Sequence, residues 1–62
     1  MATSNSTVRI QIQKELLRLD GKFAVLIGGK DIYVLNEQRE VIKVAKNLRA
    51  ILGFLLQIPY QN

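Results

Sequence analysis

The 62-residue chain contains no Cys, no His and no Trp. Without Cys there is neither a disulfide nor a thiolate nucleophile, and without His the usual base of a nucleophilic triad is missing. Zinc, which draws its ligands chiefly from those two residue types, is not provided for. The five acids are Glu15, Asp20, Asp31, Glu37 and Glu40. They form no D-x-D cluster and mostly flank turn signals, so no hard-metal site is expected. Ser4 and Ser6 are the only serines and lie in a polar opening stretch. Gly28-Gly29-Lys30 lacks the glycine spacing of a phosphate-binding loop and is followed by a strand pattern, not a helix. A non-catalytic protein without cofactor, metal or small-molecule substrate is the expectation. The longest apolar stretch, Ala50 to Leu56, is far short of the roughly 20 residues of a membrane span. No secretion signal is visible, and a cytoplasmic location is expected.

What is present is a dense apolar content. Hydrophobic residues make up 48% of the chain and charged residues 23%, which argues for a folded domain and against a disordered tail. A chain this short buries only about 60% of its unfolded surface, so a partner that covers more of it would stabilise it. Nine Lys and Arg against five acids give a net charge of +4, a modest field that attracts polyanions.

The small polar residues 1–7 read as a flexible leader, and residues 8–62 as one small domain. Val8 to Gln13 alternates apolar and polar with period two, and its β-branched residues favour a first strand. Val8, Ile12, Leu16 and Leu19 also fall near helical spacing, so the segment stays open between the two. Asp20-Gly21 and Gly28-Gly29 supply the positive backbone angles of tight hairpin turns, with Lys22 to Ile27 and Lys30 to Leu35 as the strands between and after them. Placing Gly28-Gly29 in the loop sets Val25 opposite Ile32 and Phe23 opposite Val34. The polar turn Asn36 to Arg39 leads to a fourth strand at Val41 to Ala45, where a helix is the competing reading. A helix follows from about Lys46 to Gln57 and is stopped by Pro59. The expected fold class is therefore α+β: an antiparallel meander of about four strands with one C-terminal helix. The stretch Ile32 to Ile42 resembles the hairpin of many sensor and repeat domains, a likeness that carries no functional residue.

Both main elements have more apolar surface than one layer of packing can cover. One sheet face would carry Phe23, Val25, Ile27, Ile32 and Val34, and the other Ala24, Leu26, Tyr33 and Leu35. The apolar arc of the helix spans roughly 200°. A homodimer and a protein partner are expected, with Leu26, Tyr33, Ile51, Phe54, Leu56, Ile58 and Tyr60 as the contact residues. The alternative is a small nucleic-acid-binding protein that places Arg9, Lys43, Lys46 and Arg49 on phosphates, since no acid follows Glu40.

Overall fold

The computed structural model describes residues 3–59, with side chains from residue 6 onward. Its elements are α1 (Thr3–Arg18), β1 (Ala24–Gly28), β2 (Asp31–Leu35), β3 (Val41–Ala45) and α2 (Leu48–Leu56). The class is α+β with an antiparallel meander, in the order β1-β2-β3. Among the described residues there are three strands and two helices where four strands and one helix are expected from sequence.

The difference lies in α1. The strand reading puts Val8, Ile10 and Ile12 on one face; the structure buries Val8 and Ile12 and leaves Ile10 exposed. Val8, Ile12, Leu16 and Leu19 fall within about 80° of one another around a helix. Val8, Ile12 and Leu19 are core, and Leu16 packs against it. Nothing between Val8 and Leu19 breaks a helix, since that stretch has neither Gly nor Pro. The helix begins at Thr3, inside the stretch read as a leader, while Met1 and Ala2 lie outside the described residues.

Asp20-Gly21 does adopt the positive φ angles its sequence signals, 63° and 68°. They end a helix instead of reversing a hairpin. The Gly21 N–H donates to the Leu16 carbonyl at 3.1 Å and the Asp20 N–H to Leu17 at 3.0 Å, the paired bonds of a Schellman motif.

The first hairpin turns at Gly29-Lys30, one residue later than expected. Gly28 pairs with Asp31, Ile27 with Ile32 and Val25 with Val34. Only the first loop position has positive φ (Gly29, 56°), the sign pattern of a type II′ turn. The register moves by two in its pair sum, so the side chains keep the faces assigned from sequence. Gly28 stays in the strand beneath an aromatic ring: a Cβ there would sit 3.3 Å from Tyr33 Cε2.

The second hairpin is organised by Asn36. Its Oδ1 accepts from the N–H groups of Gln38 (3.0 Å) and Glu40 (2.9 Å). The Arg39 N–H donates to the Asn36 carbonyl, and Arg39 then takes φ 67°. A type I turn followed by a left-handed residue is a position that favours glycine. Arg39 is exposed. Arg39→Gly is therefore expected to raise stability by about 0.5–1 kcal/mol, measured by thermal or urea unfolding. A loss of stability would show that the side chain contributes more than its backbone strain costs.

Helix α2 starts at Asn47, whose side chain accepts the Ala50 N–H at 2.9 Å. Ile51 and Leu55 are fully buried beneath α1 and the inner sheet face, where Ile32, Val34 and Ala45 complete the core. α2 packs on β2 and β3, and α1 packs on α2. The flank of α1 bearing Arg9, Gln13 and Leu16 shares a cleft with Val25 and Ile27 of β1. Both helices thus lie on one side of the sheet.

Candidate functional site

The other side of the sheet is apolar and exposed. Register places Leu26, Tyr33 and Val44 in one row across the three strands, and Ala24, Leu35 and Val41 in the next. Leu26 is 53% exposed, Val41 53% and Val44 50%, while Tyr33 and Leu35 are half-buried against their cross-strand neighbours. A bulge between Val34 and Leu35 in the β2–β3 pairing leaves Ile42 as an extra residue in β3. It brings Val41 beside Leu35 on the outer face. Polar groups close the two ends. Lys46 Nζ pairs with Asp31 Oδ1 at 3.2 Å at one, and Asn36 Nδ2 donates to Glu40 Oε1 at 3.1 Å at the other.

Of the contact residues expected from sequence, Leu26 and Tyr33 lie on this face. Ile51 does not lie on any surface: it is fully buried between the chain's own helices and sheet, which corrects its assignment to an interface. Phe54 is half-buried on the inner side, with Lys43 Nζ 5.9 Å from its ring centroid. Leu56 is exposed in a groove between α1 and α2, beside Gln11 and Leu52. Ile58 is half-buried, and its carbonyl accepts from Arg18. Tyr60 lies outside the described residues. The α2 residues therefore form no continuous surface with the sheet. Val41 and Val44 belong to the face and were not singled out; only the β2–β3 register and its bulge reveal their side.

The four cations expected to grip phosphate are dispersed. Arg9 and Lys46 line one depression together with Lys30 and the capping Asn47. Arg49 lines a different groove, beside Leu52 and Gly53, and Lys43 is turned toward Phe54. Among the described residues no group of three metal-binding side chains comes together, and no helix is long and apolar enough to cross a membrane.

No family model matches the chain, and no curated protein or solved structure matches it.

Proposed function

We propose that this is a non-catalytic adaptor or regulatory protein that works by binding another protein on the outer face of its sheet. The observation that carries the reading is the double row of apolar side chains left in water by a chain whose helices both lie on the opposite face. The largest apolar patch of a small protein is often its functional one. Three strands about 4.8 Å apart and five residues long at about 3.3 Å each give a footprint of roughly 240 Å². Tyr33 lies at its centre and joins a large apolar ring to a polar hydroxyl, the combination favoured at binding hot spots.

A photo-crosslinking side chain at Val44 is expected to trap one defined protein, whereas the same group at Gln38, in the polar turn, traps none. With that partner purified, Tyr33→Lys is expected to weaken binding at least about tenfold. Unchanged affinity in a folded Tyr33→Lys chain would remove the face from the reading.

A second reading rests on the depression shared by Arg9, Lys30 and Lys46 at the start of α2. Two of those cations were singled out from sequence as phosphate contacts, and Lys30 adds a third. Micromolar nucleic-acid binding that falls steeply between about 50 and 200 mM salt would favour it. The ion pair of Lys46 with Asp31 weighs against it, since that charge is already partly answered.

A further inference from the structure

We infer that two copies of this chain join through their β1 edges, in an antiparallel register centred on Leu26, to form one six-stranded sheet. The inference stands on the edge of the sheet and so is independent of what the outer face binds.

The backbone directions of β1 follow from one bond. The Asn36 N–H donates to the Glu40 carbonyl at 3.0 Å, so the backbone of Asn36 points toward β3. Backbone groups alternate in direction along a strand. Leu35, Tyr33 and Asp31 therefore point toward β1 and bond with their partners Ala24, Leu26 and Gly28. Val25 and Ile27 are left with their N–H and C=O groups directed away from the sheet, and no turn or loop bond takes them up. Such an edge is a template for another strand.

The other edge is defended. β3 carries the bulge at Ile42 and a lysine, Lys43, at its middle position. Bulges and edge lysines both discourage strand addition. β1, with the sequence Ala-Val-Leu-Ile-Gly, has no charge at all. A chain of net charge +4 repels its copy, and only the strand β1 itself is free of charge, since the same register turns Lys22 of each copy toward Lys30 of the other.

The register is self-complementary. With a two-fold axis at Leu26, Val25 of each copy faces Ile27 of the other, and the four bonds so made use every outward backbone group on both strands. The axis closes the assembly at two, because each copy has only one open edge. α1 adds apolar surface on the same side. Its Arg9, Gln13 and Leu16 flank lies over β1, while Gln11, Lys14 and Glu15 line the side toward α2. Leu17, four residues after Gln13, continues the β1 flank outward, while Ile10 lies on the exposed back of the helix. Leu17 is 76% exposed and Ile27 56%. A standard interface takes about 800 Å² from each partner, under a fifth of the chain's 4488 Å² surface. Pairing also sets Leu26 beside its copy, so the outer faces become one surface of about twice the single-chain footprint of roughly 240 Å².

Sedimentation of the wild-type chain at micromolar concentration should give the mass of two 7.0 kDa copies. The Val25 and Ile27 amides should exchange with solvent at least about tenfold more slowly at high concentration than at low. Ile27→Pro deletes only an outward N–H, a change that edge strands tolerate, and should yield a folded monomer. If that variant does not fold, Ile27→Lys tests the same edge by placing two like charges beside the axis. Val44→Lys, on the outer face and far from the edge, should remain dimeric. A wild-type monomer, or a dimer that survives both Ile27 substitutions, overturns the inference. So does a dimer lost only in Val44→Lys, which would place the copies face to face.

Discussion

Ile51→Ala is expected to lower the melting temperature by more than about 10 °C. Ile51 is fully buried and lies where α1, α2 and the inner sheet face converge. Removing three carbons from such a site costs about 2–5 kcal/mol through lost transfer energy and the cavity left behind. A domain of this size has only about 3–5 kcal/mol from its single core, so the variant should be substantially unfolded near room temperature. One kcal/mol moves the midpoint of so small a domain by about 4–8 °C. Leu56→Ala provides the contrast: that side chain is exposed, and the change should stay within about 0.5 kcal/mol. Circular-dichroism melts of the two variants and the wild type make the comparison. Equal losses would mean that the core is not where the burial places it.

Arg18→Ala should lose about 2 kcal/mol, from a residue far from the centre of the core. The last carbonyls of a helix lack partners within it, and α2 ends without a basic residue of its own. Arg18, the last residue of α1, adds a charged donor to carbonyls there, one of which (Leu55) also accepts the Ile58 N–H at 3.1 Å. Its Nη2 donates to the Leu55 carbonyl at 3.2 Å and the Ile58 carbonyl at 3.1 Å. Its Nε donates to Glu15 Oε1 at 2.6 Å, and that bond fixes the guanidinium plane. One side chain thus ties the C-terminal ends of the two helices together and places a positive charge at the negative end of the α2 dipole. Hydrogen bonds to a charged group contribute about 1.5–3 kcal/mol net, and partial exposure puts the expected loss in the lower part of that range. Arg18→Lys keeps the charge without the planar fork and should fall between wild type and alanine. Amide exchange in the last turn of α2 should rise in step. Melting and exchange unchanged in Arg18→Ala would show that water replaces these bonds without loss.

The contrast between these two residues also shows what the amino-acid pattern carries. β2 and β3 are legible because short β-branched runs stand between turn residues, and the meander follows from them. α1 is not legible by the same means. Val8, Ile10 and Ile12 satisfy a period of two, while Val8, Ile12, Leu16 and Leu19 satisfy helical spacing, and the two patterns share residues. Long-range packing decides between them, because only the helix brings Leu19 under the same core as Val8. Asp20-Gly21 could not arbitrate, since a Schellman ending and a hairpin turn both need positive φ. The turn falls at Gly29-Lys30 because two adjacent glycines offer two places to fold. The outer face was half visible: Leu26 and Tyr33 follow from simple alternation, whereas the bulge at Ile42 breaks that alternation and conceals Val41 and Val44. Nothing in the sequence marks Arg18, because its partners are backbone carbonyls 37 and 40 residues away.

Amide and methyl chemical-shift mapping with the purified partner tests most directly the proposal that the outer face of the sheet is the binding surface. Adding the partner to the labelled chain should shift Tyr33, Val41 and Val44 together and leave Gln11, Leu52 and Leu56, in the groove between the helices, unmoved. Shifts confined to that groove, or to the depression of Arg9, Lys30 and Lys46, would contradict it.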